Sequence, residues 1–315
     1  MIFLRDMRVF VAGATGLIGR RAVRRLLVAG HEVSALARSE EAAEPLREMG
    51  AGVAVADVLD AELLRAAMAF ASPEVVMHQL TVLPDRLDSR DAAEHFAEND
   101  RMRVEGTRAL IEAAAAVGAQ RIVAQSIAFA YAPEGDWVKD ESAPLYLDAP
   151  SPWGGAVGAV AELERQVMEA RGMDGVVLRY GSLYGPGTWY DPDGGTIAEA
   201  VREGKMPLIG DGAAMLSFTH VEDAASAAVA AVDAPPGIYN AVDDEPVCAR
   251  DWLPLYARSL GGPSPPRLSV DEGLASAGWT AVHRMTEQRG AANARARERL
   301  GWEPDHRSWR ATLAG

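Results

Sequence analysis

The chain has 315 residues with 49% hydrophobic and 24% charged content, enough to bury a full core and ordinary for a soluble globular protein. Its 31 basic and 45 acidic residues leave a formal charge of −14, which disfavours nucleic acid and anionic membrane, both held through clustered Lys and Arg, and points to a small-molecule partner. The lone Cys248 excludes an intrachain disulfide and a cysteine metal centre, no metal site is expected, and with no leader-length or spanning apolar run the protein is expected to be cytoplasmic.

The apolar run Val9-Phe10-Val11-Ala12 meets Gly13-Ala14-Thr15-Gly16-Leu17-Ile18-Gly19 and passes into an amphipathic segment from Arg20 to Ala29. This reads as strand, phosphate loop and helix. Gly13 permits the sharp turn, Gly16 lets the backbone approach a pyrophosphate, and Gly19 lets helix and strand pack closely, while the helix start offers free N–H groups to phosphate. A second strand runs from His31 to Arg38. An acid near its end would hold ribose hydroxyls, but Arg38 stands there instead, which favours a 2′-phosphate and hence NADP over NAD.

Gly52–Ala56 is a third strand ending at Asp57-Val58, where Asp57 faces an adenine crevice or caps the next turn. A helix over 61–70 follows. Val75–Leu80 is a fourth strand that delivers Thr81 to the same edge, with His78 as a satisfied core residue. Residues 85–91 form a polar loop, and 92–117 one long helix. Arg121–Ser126 is a fifth strand emptying into Ile127-Ala128-Phe129-Ala130-Tyr131, and the loop 133–152, with four prolines, is long enough to border a site. A helix over 153–170 and a sixth strand over 174–179 complete an alternation that implies a parallel sheet with helices on both faces. Beyond residue 180 turns and short elements prevail: a helix over 196–203, brief strands near Leu208 and Phe218, a helix over 223–232, a strand over 238–242, and helical patches over 252–260 and 291–300. Residues 1–180 thus form a nucleotide-binding domain and 181–315 a smaller mixed lobe, with some exchange of chain and the substrate cleft between them.

On these residues the sequence resembles the extended or atypical short-chain dehydrogenase/reductases, in particular the NAD(P)-dependent epimerase/dehydratase group. The matching stretches are Gly13 to Gly19, Ala56-Asp57-Val58, Glu105-Gly106-Thr107, Leu178-Arg179-Tyr180, Leu183-Tyr184-Gly185-Pro186-Gly187, Phe218 to Asp223, and Leu300-Gly301-Trp302-Glu303-Pro304. The resemblance implies an α/β fold, a Rossmann-type doubly wound parallel sheet with a smaller mixed α/β C-terminal substrate lobe. It implies that Gly13, Thr15, Gly16, Leu17, Ile18 and Gly19 line the pyrophosphate, Arg38 the 2′-phosphate, Asp57 and Val58 the adenine, and Leu80 and Thr81 the nicotinamide ribose. It also implies a homodimer paired through the helices 92–117 and 153–170.

The family's proton relay is a Ser or Thr with a Tyr-x-x-x-Lys pair, in which the lysine lowers the phenol's pKa. No Tyr-x-x-x-Lys exists in this chain, whose two lysines are Lys139 and Lys205. Alignment places Ala156 at the tyrosine position, Val160 at the lysine position and Ile127 at the hydroxyl position. Replacement donors by location are Tyr131, Ser126 and Thr81, with Tyr184 a further candidate; His220 is expected to make a structural hydrogen bond and Asp223 to cap the following helix. The aromatics Phe129, Tyr131, Tyr146, Trp153, Trp189 and Tyr190 favour a flat or apolar substrate in the enlarged space. The expected activity is an NADP-dependent oxidoreductase or epimerase-like reaction on a bulky specialised metabolite with a non-standard relay. The alternatives are a redox-neutral cyclase, dehydratase or isomerase, and a non-catalytic NADP-binding protein.

Overall fold

The computed structural model of the chain describes residues 6–84, 86 and 92–313. The expected loop over 85–91, Arg86 apart, and the first five residues lie outside them. Seven strands form the central sheet: β1 (Arg8–Ala12), β2 (Glu32–Ala37), β3 (Gly52–Val55), β4 (Val75–His78), β5 (Arg121–Ile127), β6 (Asp174–Tyr180) and β7 (Gly237–Ala241). Their order is β7-β6-β5-β4-β1-β2-β3 and every pair is parallel. The order reverses between β1 and β4, where Ala12 lies beside both Leu36 and His78, so the loop after β1 opens at the crevice that such sheets use for ligands.

Side-chain alternation explains the layers. Val9, Val11, Val33, Ala35, Met77, Val123 and Leu178 face one side and pack on α1 (Leu17–Val28), α2 (Glu40–Glu48) and α8 (Val221–Ala230). Phe10, Ala12, Leu36 and Val76 face the other and pack on α3 (Ala61–Ala71) and α5 (Thr107–Ala116), while Ile122, Ala124 and Val177 pack on α6 (Trp153–Met168). The expected single helix over 92–117 is interrupted: α4 (Ala92–Arg101) passes through a π-turn, Met102–Gly106, into α5. At Gly106 a Cβ would lie 2.6 Å from Met102 Sδ, so the wide turn is filled by that methionine.

The rest of the chain makes an aromatic-rich lobe from α7 (Thr196–Arg202), α9 (Ala249–Ser259), α10 (Val270–Thr286) and α11 (Arg310–Leu313), around Phe218, Trp252, Tyr256 and Trp309. The chain does not part cleanly at residue 180, because α8 packs on α1 and β7 pairs with β6. The C-terminal segment thereby returns to complete the first domain. The expected helical patch at 291–300 begins at residue 294 and continues as a π-turn over Ala296–Leu300, and α10, which the sequence reading does not draw, starts at a Ser269–Glu272 capping box and is kinked at Gly278 (φ +80°).

Candidate functional site

The loop after β1 is shaped for the close approach of a ligand. Gly13 has φ +83°, and a Cβ there would overlap the Gln79 carbonyl and stand 2.7 Å from Leu80 N; on Gly19 it would fall on the Gly13 carbonyl oxygen and 2.8 Å from Ala14 Cα. Gly16 is the N-cap of α1 and offers no side chain, the first turn carries no acid, and Arg20 N is the first to bond back into the helix. The N–H groups of Leu17, Ile18 and Gly19 therefore point outward at the positive end of the helix, which fits a pyrophosphate. Thr15 and Gly16 are exposed at the mouth, whereas the Ile18 side chain turns into the core.

Arg38 follows β2, exposed, without a hydrogen bond or ion pair among the described residues. Its neighbour Ser39 caps α2, with Oγ accepting from Ala42 N at 3.2 Å. Asp57 Oδ1 accepts from Leu59 N at 2.8 Å and so braces its own turn, while the cap of α3 is Asp60, accepting from Glu62 N and Leu63 N. Val58 is buried against the core beside α3.

At the end of β4, His78 is buried and doubly bonded. Leu80 N donates to Nδ1 at 3.2 Å, so Nε2 carries the hydrogen and faces Thr107 Oγ1 at 2.9 Å, whose hydroxyl donates to the Arg103 carbonyl. Burial pushes the ring's pKa down to about 4, which keeps it neutral. Gln125 Nε2 donates to the Leu80 carbonyl at 2.8 Å, and Val82 N donates to the buried Asn99 at 3.0 Å. The Leu80–Thr81 backbone is thus fixed from both sides, with Thr81 exposed.

On α6, Ala156 is half-buried and Val160 buried, so no acid stands at either position. One turn beyond lies Glu164, which sequence reasoning missed. Its Oε1 accepts from Ser126 Oγ (2.7 Å) and Arg179 Nε (2.8 Å), and its Oε2 accepts from Arg179 Nη2 (2.6 Å). Arg179 Nη1 donates to Tyr131 Oη (2.9 Å), which donates to Asn240 Oδ1 (2.7 Å). All five side chains are buried. Burial opposes charge on Arg179, but the Glu164 bonds and the Tyr131 oxygen outweigh it and hold the guanidinium above its usual value; burial likewise raises the Tyr131 phenol. The hydroxyls of Ser126 and Tyr131 are therefore spent inside the fold. A charged residue within the apolar run of β6, Asp-Gly-Val-Val-Leu-Arg-Tyr, was the available signal for Arg179.

Three of the expected aromatics gather. Phe129 stacks on Trp153 (6.1 Å, 15°), and Tyr146 meets Trp279 and His283 of α10, themselves stacked at 4.8 Å. Arg284 of α10 lies over both Phe129 and Trp153. Trp189 Nε1 donates to the Pro84 carbonyl, Tyr190 packs between Phe218 and Trp252, and Tyr184 is enclosed by Phe218 and His220. Asp223 does not cap α8: His220 does, through Nδ1 to Glu222 N, while Asp223 accepts from the backbone of Asp305 and His306 and the His306 ring. His220, Asp223 and His306 lie close enough to suggest a metal, but the imidazoles stack face to face at 3.5 Å, so their lone pairs cannot converge on one ion.

A parallel sheet whose switch point carries this glycine cradle defines a nicotinamide-dinucleotide enzyme of the short-chain dehydrogenase type. Residues 9–241 match the model of the NAD dependent epimerase/dehydratase family, and the chain belongs to that family. It is 54% identical over 309 residues to a 3-diazoavenalumate denitrifying reductase from a Streptomyces species, covering 98% of this chain and 99% of that one. A ketoreductase of Stigmatella aurantiaca acting on 4-hydroxy-2-methyl-3-oxo-4-farnesyl-3,4-dihydroquinoline-1-oxide is 30% identical over 261 residues, 81% of this chain and 74% of that one. The solved dTDP-glucose 4,6-dehydratase of Streptomyces venezuelae, with NAD bound, has the same fold with a TM-score of 0.74 at 20% identity, over 98% and 95% of the two chains. Among the described residues no helix is long and apolar enough to cross a membrane.

Proposed function

We propose that this enzyme is an NADP-dependent reductase that replaces a diazo group on a flat organic acid by hydrogen, releasing dinitrogen. One observation carries the reading: the helix where the family keeps its proton relay presents Ala156 and Val160, in a chain 54% identical to a denitrifying reductase. Carbonyl reduction makes an alkoxide that must be protonated, so losing the acid costs about 10²–10⁴ in rate. With a diazonium the demand disappears, since R–N≡N⁺ and the hydride that a reduced nicotinamide supplies give R–H and N₂ with no oxyanion. Two small apolar side chains then suffice, and they leave room for the substrate.

In this reading Gly13, Thr15, Gly16, Leu17, Ile18 and Gly19 hold the pyrophosphate, Arg38 the 2′-phosphate, Asp57 and Val58 the adenine end, and Leu80 and Thr81 the nicotinamide ribose. The unpaired state of Arg38 supports NADP. Ser126 and Tyr131 act as positioning residues: through Arg179 and Glu164 they tie the ends of β5, β6 and β7 to α6, and neither hydroxyl is free to serve as a proton donor. A homodimer through the helices over 92–117 and 153–170 would be polar on its second helix, because Arg165 there is already bonded to Glu162 and Glu169. The test is to mix the purified protein and NADPH with a carboxylated benzenediazonium salt. NADPH oxidation matched mole for mole by N₂ is expected; turnover of ketones with an inert diazonium would overturn the reading.

A further inference from the structure

We propose that Arg284 is the carboxylate anchor of the substrate cleft, and that it selects an aromatic acid laid against Phe129 and Trp153. The inference deepens the function proposed above and rests on it for where the substrate lies. The Arg284 guanidinium stands 5.4 Å from the Phe129 ring centre and 5.8 Å from that of Trp153. Trp153 is three residues before Ala156 on α6, and Phe129 two residues past Ile127, so this cation borders the positions where the family's relay would stand.

Arg284 is solvent-accessible, and the protein packed beside it holds its pKa below the usual arginine value. The group acting the other way is the Tyr190 phenol. Among the described residues no carboxylate forms an ion pair with Arg284 and no acceptor takes a hydrogen bond from it. Arg179, Arg21 and Arg103 are by contrast each paired with a carboxylate, Glu164, Glu222 and Asp100 respectively. Arg289, on the segment after α10, is turned elsewhere, over Trp137 at 3.8 Å and onto the Pro133 carbonyl.

The guanidinium lies over two rings but has no counter-charge among the described residues, and a bound anion supplies one. The planar fork matches a carboxylate bidentately, and the two ring faces beside it suit an aromatic body attached to that carboxylate. The protein's own charge of −14 repels anions, so recognition of one needs a local cation of this kind.

The experiment uses the full-length protein saturated with NADP⁺ and calorimetric titration with cinnamate and with methyl cinnamate. The wild type is expected to bind the acid about tenfold or more tighter than the ester, the scale of a charge-assisted hydrogen-bonded pair. Arg284→Gln should bring the acid down to the ester's affinity, and Arg284→Lys should keep part of the preference, with unfolding midpoints unchanged. Equal affinity of wild type for acid and ester, no binding of the acid, or an undiminished preference in Arg284→Gln each overturns the anchor. Because neither probe carries a diazo group or is turned over, failure of the denitrification assay leaves this result standing, and the reverse holds.

Discussion

Removing Glu164 tests whether the buried charge network holds the sheet's carboxyl edge to α6. Glu164 accepts three hydrogen bonds, two from Arg179, and both side chains are nearly closed to water, at 6% and 4% exposure. In Glu164→Ala the guanidinium keeps the Tyr131 oxygen but loses its counter-charge, and Ser126 loses its acceptor. Leaving one member of a buried pair uncompensated costs about 3–5 kcal/mol. With an unfolding entropy of about 2.1 cal/mol/K per residue, a 315-residue chain should lose about 5–8 °C in Tm. The control is Glu164→Ala with Arg179→Met, which removes the orphaned charge and should recover part of the loss, as apolar replacement of both partners often does. Urea and thermal unfolding followed by circular dichroism read both variants. A loss below about 1 kcal/mol in the single variant, or a double variant no more stable than the single, would refute the assignment.

Gly19→Ala should abolish coenzyme binding in titration, because its Cβ meets backbone at Gly13 and Ala14 that cannot move without opening the cradle. Arg38→Ala should weaken NADPH by about 10- to 100-fold and leave NADH unchanged, measured by fluorescence titration. His78 and His220 both have folded pKa values near 4 against 6.5 unfolded, so the stability they confer is complete above pH 6.5 and lost as pH falls through 4, about 3 kcal/mol for His78. Unfolding midpoints recorded across that window should fall with acid, and His78→Phe should flatten the slope. Restoring the family pair with Ala156→Tyr and Val160→Lys should not raise N₂ release; a gain of tenfold or more would mean that the reaction needs an acid after all.

The class of fold and the tight glycine loop after β1 were legible in the sequence because their signals are local. Glycines at 13, 16 and 19 each answer a contact made within a few residues or with the adjacent strand, and alternation of β and α elements leaves few sheet orders open. The absence of a Tyr-x-x-x-Lys pair is likewise a fact of the chain alone. What the neighbourhood of that gap contains was decided only by tertiary structure. Ser126, Tyr131, Glu164, Arg179 and Asn240 meet across separations of up to 109 residues, and no spacing rule links them. The same holds for Asp223, which periodicity offered as a cap and packing gave to the C-terminal segment, and for α10, whose Trp279, His283 and Arg284 acquire meaning only where the second lobe lays them against Phe129, Tyr146 and Trp153. Hydrogen bonds and ring contacts are set by distance in space, and a chain specifies those distances only through the packing of its whole core.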